Sequence, residues 1–326
     1  MSEATEFELI DRYFKSSLGR GDVVLGVGDD AAILDVPSGH QLVVSMDTLV
    51  ADVHFALNDD PEGIGHKALA VSLSDMAAMA AEPAWATLAL VLPRVDEAWL
   101  AAFSEGLLGL TQAFGVELVG GDTTRGPLCI TSQLHGHVPS GQATLRSGAG
   151  PGDLICVTGT IGDAGLALRL RQQSGRGHQN SDRNYLDQRL DRPSPRVREG
   201  VGLRALASAA IDISDGLSAD LGHILEASGC GGEVEVDAVP LSDTFRRCAE
   251  GLAPDEALRL ALSAGDDYEL CFTVPEDQLP RLEAVSANWE VPWRVIGRIT
   301  ERKGLSLVHD DGHPFILERT GYEHFR

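Results

Sequence analysis

Gly63-Ile-Gly-His-Lys67-Ala-Leu-Ala-Val-Ser72-Leu-Ser-Asp75-Met-Ala-Ala-Met-Ala-Ala81, then Glu82-Pro83, then Ala84-Trp-Ala-Thr-Leu-Ala-Leu-Val-Leu92, is the stretch from which the fold class is read. Residues 63–81 have the length and alanine content of a helix. Residues 84–92 are a short apolar run bracketed by Pro83 and Pro93, the pattern of a buried strand. The run is far too short for a bilayer, which takes about 20 residues. Working outward, residues 41–46 are a β-rich run predicted to stop at Asp47, and 96–114 read as a helix. Residues 117–119 read as a short strand entering Gly120-Gly121-Asp122, and 128–138 as another strand. The Gly-, Ser- and Pro-rich stretch 140–153 marks a domain boundary, giving domains over 1–140 and 150–326. Beyond it, strands are predicted at 154–157, 210–213, 233–236, 269–273, 294–299 and 305–308. Helices are predicted at 164–170, 199–208 and 217–227. The polar stretch 171–198 reads as an exposed loop or lid. The alternation predicts a two-domain α/β (α+β) chain.

Apolar residues make up 43% and charged residues 23% of the 326, as in folded globular proteins. A formal net charge of -23 argues against nucleic acid and anionic membranes as partners, since these need a basic patch. Five cysteines with no C-x-x-C pair argue against a disulfide framework or zinc ribbon. The opening Met1-Ser-Glu-Ala-Thr-Glu-Phe7 lacks the basic and apolar regions of a signal peptide, so a cytoplasmic location is expected.

The chemistry lies in a recurring motif: acids next to glycine or serine, each abutting an apolar element. Gly26-Val-Gly-Asp29-Asp30 offers adjacent carboxylates after a glycine turn. Ser45-Met46-Asp47 offers a hydroxyl and a carboxylate at a strand end, with His54 a few residues on. Asp75 stands among small apolar residues, where an ionised carboxylate is costly unless paired or metal-bound. Gly120-Gly121-Asp122-Thr123-Thr124 would let a phosphate approach the backbone. Asp212-Ile-Ser214-Asp215 sits at a predicted strand-to-helix junction, a natural phosphate or metal site. Gly265-Asp266-Asp267-Tyr268-Glu269 precedes a strand. Each motif alone also fits a capped turn, and a non-catalytic acidic metal-binding protein fits the whole set. Oxygen ligands in this number suit magnesium and, through it, polyphosphate. No Walker A sequence and no protein-kinase signature is present.

In this order, Gly28-Asp-Asp-Ala-Ala, Ser45-Met-Asp-Thr-Leu-Val-Ala-Asp-Val-His-Phe, Lys67-Ala-Leu-Ala-Val-Ser-Leu-Ser-Asp-Met, Gly120-Gly-Asp-Thr-Thr-Arg-Gly, Ile213-Ser-Asp-Gly-Leu and Asp267-Tyr-Glu-Leu resemble the thiamine-monophosphate kinase family. That family sits in the superfamily of aminoimidazole ribonucleotide synthetase and selenophosphate synthetase. The resemblance runs from Glu6 to Tyr322. It implies the two-domain aminoimidazole ribonucleotide synthetase-like fold, with N-terminal domains joined as a homodimer through a β-barrel-like sheet and a C-terminal α/β domain. It also implies phosphoryl transfer from ATP to thiamine monophosphate with several Mg2+ ions. Asp30, Ser45, Asp47, Asp75, Asp122 and Asp212 would bind magnesium, with Asp215 on a further ion and Met46 through its backbone carbonyl. Of these, Asp30, Asp47, Asp75, Asp122 and Asp212 form the expected catalytic set. Gly121, Asp122, Arg146 and Ser214 would contact ATP, and His54, Glu269 and Tyr322 the thiamine monophosphate. The chain departs from the family at Met46, often small or polar, and at Gly265-Asp266-Asp267, often Gly-Glu-Asp.

Overall fold

The alanine-rich stretch forms the helix Pro61–Ala78, with Leu69, Leu73 and Met76 buried. A second helix, Glu97–Phe114, crosses it almost backbone to backbone. A Cβ at Gly65 would stand 2.0 Å from the Phe103 carbonyl oxygen, and one at Gly106 would stand 1.9 Å from that of Glu62. Two glycines at the crossing are therefore a packing requirement. The Glu97–Phe114 helix is bounded by Asp96, whose side chain accepts from the Trp99 N–H, and by left-handed Gly115 at φ 64°.

This computed structural model describes residues 5–15, 19–174 and 180–322. The chain divides into two units, one of Met1–Met76 with Ala81–Gly141, the other of Ala77–Ala80 with Gln142–Arg326. The first unit is built on a four-stranded sheet in the order His40–Val50, Cys129–Pro139, Glu82–Leu92, Glu117–Arg125. Its first three strands are antiparallel. The last pair is parallel, joined by the Glu97–Phe114 helix as parallel pairing requires. The Pro61–Ala78 helix lies on one face, where Ser132 Oγ donates to the Ala68 carbonyl at 2.6 Å.

Two strands outrun their expected ends. His40–Val50 continues through Asp47, which pairs with Ser132, so Asp47 stands within a strand. Glu117–Arg125 takes in the whole Gly120-Gly121-Asp122-Thr123-Thr124 run, paired to residues 87–91 of Glu82–Leu92. That run is an edge strand and not a glycine turn, because pairing imposes extended backbone where residue preference does not.

The second unit is a six-stranded sheet in the order Gly304–Val308, Gly231–Glu235, Trp293–Thr300, Leu154–Thr158, Leu270–Val274, Ala209–Asp212. Only the first pair is parallel. Its central strands are fully buried at Ile155, Val157 and Phe272. The helix Leu217–Ser228 packs Leu221 and Ile224 into the core. The predicted helix over 199–208 is the shorter Val197–Gly202.

The reading of 171–198 as an exposed loop is corrected by the structure. Residues 175–179 lie outside the described residues, and Ser181–Asp191 is a helix capped by the Asn180 side chain, with Leu186, Asp187 and Leu190 buried. Its polarity is internal: Arg171 donates to Asp187 at 2.7 Å and to both Asp191 oxygens at 2.7 and 2.6 Å. Among the described residues, no helix is long and apolar enough to cross a membrane.

Candidate active site

Residues 45, 47 and 132 share one face of the first unit's sheet, and that face meets residues 68, 72 and 75 of the Pro61–Ala78 helix. Ser72 Oγ donates to Asp47 Oδ2 at 2.7 Å and lies 2.9 Å from Ser132 Oγ. Ser45 Oγ donates to Asp75 Oδ2. Asp47 is itself within hydrogen-bonding reach of Asp75. Burial pushes the Asp47 carboxyl above the usual range, against the Ser72 and Asp75 hydrogen bonds, which pull it down. Two half-buried carboxyls this close need a proton or a cation between them. Among the described residues no three His, Cys, Asp or Glu side chains form a metal-sized cluster. The Ser45 hydroxyl completes an all-oxygen set with Asp47 and Asp75, and that donor chemistry fits a hard cation such as magnesium.

The remaining expected residues of this unit are distributed around it. Met46 turns its side chain outward, 63% exposed. His54 follows the strand in a turn opened by left-handed Asp52 at φ 62°. Its Nδ1 accepts from the Val50 N–H at 2.9 Å, which leaves the ring proton on Nε2. Asp30 lies on an exposed turn, where its N–H donates to Asp29 Oδ1 at 2.8 Å. Asp122 is exposed on the edge strand. Gly121 is required by strand pairing, since a Cβ there would stand 1.9 Å from the Leu88 carbonyl oxygen.

In the second unit, Asp212 is buried at the last position of its strand. Ser214 and Asp215 follow it half-exposed, ahead of the Leu217–Ser228 helix. The expected phosphate site at this junction has its backbone donors already engaged: Asp220 Oδ2 accepts from the N–H groups of Ser214, Asp215 and Gly216. Burial and the Asp215 charge push Asp220 up to about 7, against those three hydrogen bonds. Arg146 is exposed. Tyr322, 48% exposed, donates its backbone N–H to the Asp215 carbonyl at 2.9 Å. It lines a cavity of about 440 Å³ together with Ser263, Glu318 and Arg319.

Glu269 occupies a place that does not fit contact with a substrate. It is fully buried. Arg196 donates to both its oxygens at 2.7 and 2.5 Å, Arg189 to one at 2.9 Å and Thr158 Oγ1 to the other at 2.7 Å. Desolvation raises its pKa, but the Arg196 and Arg189 charges and these bonds hold it below the usual range. Beside it, buried Asp267 accepts from the Gly162 N–H, and burial holds its carboxyl well above the ordinary value. A run of acids before a strand signals such burial only when its arginine partners are known.

Sequence reasoning missed Ser72, Ser132, Asp220, Arg189 and Arg196. Ser72 was accessible in principle, three residues before Asp75 on the same helix face. The others depend on register and packing.

Models for AIR synthase related protein match the chain twice, the N-terminal domain over residues 28–138 and the C-terminal domain over 150–310. Thiamine-monophosphate kinase of Salmonella typhimurium strain LT2 is 51% identical over 322 residues, covering 98% of both chains. The crystal structure of thiamine-monophosphate kinase from Stenotrophomonas maltophilia K279a superposes with a TM-score of 0.87 at 47% identity, covering 94% of this chain and 97% of that one. AaThiL, solved in complex with AMPPCP and TMP, superposes at 0.79 with 30% identity, covering 98% and 97%. On this near full-length agreement in sequence and fold, the chain belongs to the thiamine-monophosphate kinase family.

Proposed function

We propose that this protein transfers the terminal phosphoryl group of ATP to the phosphate of thiamine monophosphate, giving thiamine diphosphate and ADP in thiamine diphosphate biosynthesis. Near full-length identity to thiamine-monophosphate kinases supports the reading, as does the AaThiL complex with a nucleotide analogue and TMP. The observation that carries it is the Ser45–Asp47–Asp75 oxygen set, held on a paired strand and a buried helix. A rigid platform of this kind suits a reaction that runs on positioning and charge neutralisation.

Ser45, Asp47 and Asp75, with Asp30, Asp122 and the Met46 carbonyl, are the proposed magnesium-holding residues of the first unit, and Asp212 and Asp215 those of the second. Bound magnesium would neutralise phosphate charge during in-line transfer. Gly121, Asp122, Arg146 and Ser214 are the proposed ATP contacts. His54, with its proton on Nε2, donates to an anionic oxygen of the acceptor, and the Tyr322 ring packs on the thiamine. Glu269 leaves the substrate set and serves the fold. The acceptor phosphate is already anionic near neutral pH, so no general base is assigned. A homodimer is supported by the edge strand His40–Val50, whose alternate residues Leu42, Val44 and Met46 are 47, 49 and 63% exposed. A cytoplasmic location is supported by five free cysteines.

The test is ADP release with thiamine monophosphate, thiamine or an aminoimidazole ribonucleotide precursor as acceptor, with and without magnesium. Release only with thiamine monophosphate and magnesium is expected. Release with the aminoimidazole precursor instead, or with no acceptor tried, would overturn the assignment.

A further inference from the structure

The Ser214-Asp215-Gly216 turn is saturated from within its own unit. Asp220 is only 2% exposed. Its Oδ2 accepts from the N–H groups of Ser214 at 3.0 Å, Asp215 at 3.1 Å and Gly216 at 3.1 Å. Three successive N–H groups converging on one point make the concavity that elsewhere takes up a phosphate oxygen. Here the acceptor oxygen is supplied by the chain. The carbonyls on the same turn are also taken: Ile213 accepts from the Tyr268 N–H at 2.8 Å, Ser214 from Asp266 at 2.8 Å and Asp215 from Tyr322 at 2.9 Å. Gly216, at φ 123°, must be glycine, because a Cβ there would meet the Ser263 backbone at 2.9 Å. With the backbone engaged on both sides, only the half-exposed side chains of Ser214 and Asp215 remain to meet a ligand.

We infer that Asp220 is a positioning residue: its carboxylate fills the nest at the head of the Leu217–Ser228 helix and so fixes the orientation in which Ser214 and Asp215 are presented. The turn then engages a nucleotide through side chains and cations, not through backbone N–H groups. The inference rests on the proposed roles of Ser214 and Asp215, and the experiment separates the two. What Asp220 supplies is an acceptor oxygen at one point, so asparagine replaces it and alanine does not.

The probes are Mn2+ alone, titrated by electron paramagnetic resonance without nucleotide, and steady-state KM and kcat for MgATP. Asp220→Ala is expected to weaken by about tenfold or more the class of Mn2+ sites that Asp215→Ala removes, and to raise KM for MgATP by about tenfold. Asp220→Asn is expected to stay within about threefold of the parent in both. A folded Asp220→Ala protein with parent-like Mn2+ binding and KM overturns the inference. If Asp220→Ala does not fold, Asp220→Asn decides alone: a loss of about tenfold or more in a folded protein overturns it. Parent-like behaviour of Asp215→Ala would instead remove the turn from the nucleotide and metal site and leave the proposal about Asp220 without its object, which also overturns it.

Discussion

Glu269→Gln tests the claim that this residue serves the fold and not the substrate. In the parent, its two oxygens accept four hydrogen bonds, two from Arg196, one from Arg189 and one from Thr158. Glutamine keeps one acceptor oxygen, and its NH2 group would face donors. Arg196 and Arg189, 9 and 14% exposed at the side chain, would lose their shared counter-charge. Breaking a buried pair from one side costs about 3–5 kcal/mol. The buried Asp267, its carboxyl pushed up by desolvation, also feels the Arg189 charge, so Arg189 keeps a neighbouring carboxyl, which puts the expected loss at the lower end, about 3 kcal/mol. For a unit of this size, that lowers Tm by about 6–12 °C. The assay is thermal and urea unfolding of both proteins across pH. Because the folded pKa of Glu269 is depressed below the ordinary carboxylate range, its stabilisation is present above the unfolded pKa and is lost as pH falls through the folded one. The gap between parent and variant should therefore be full at neutral pH and close in acid. A gap under about 1 kcal/mol at pH 7, or one that persists unchanged in acid, would refute the reasoning.

Asp75→Ala should fold and yet lose turnover by about 100-fold or more, since metal charge stabilisation is worth several kcal/mol; single-turnover rates with circular dichroism as the fold control check this. Asp267→Asn carries the opposite pH sign from Glu269. The raised folded pKa of Asp267 means that its contribution is present at low pH and lost as pH rises through that value, so the asparagine variant should gain stability relative to the parent on the alkaline side, measured by urea midpoints. If the proposed homodimer forms through the exposed strand His40–Val50, the parent should sediment as a dimer and Leu42→Lys combined with Met46→Lys as a monomer in analytical ultracentrifugation, as charges on an edge strand block pairing.

Helix and strand around Asp75 were legible because alanine content and bracketing prolines act locally. Asp75 could be nominated because an acid among apolar residues is costly without a partner, and Ser45 and Asp47 because a strand offers a rigid platform for ligands. The extension of strands through Asp47 and through Gly120–Thr124 was not legible, because glycine and aspartate disfavour strands and only a neighbouring strand imposes the conformation. The helix Ser181–Asp191 was hidden by polar side chains that pair internally. The arginine cage of Glu269, whose substrate role the family resemblance implied, was not legible because Arg189 and Arg196 lie 80 and 73 residues away in the chain.

The glycine crossing at Gly65 and Gly106 makes the Pro61–Ala78 helix a lever with Asp75 near its far end. Ten residues of helix separate the pivot from the carboxylate, about 15 Å at 1.5 Å per residue. A single methyl added at the pivot would tilt the rod and swing the acid out of reach of Ser45. The tolerance of the chemistry is thus set by two absent side chains that never approach a reactant.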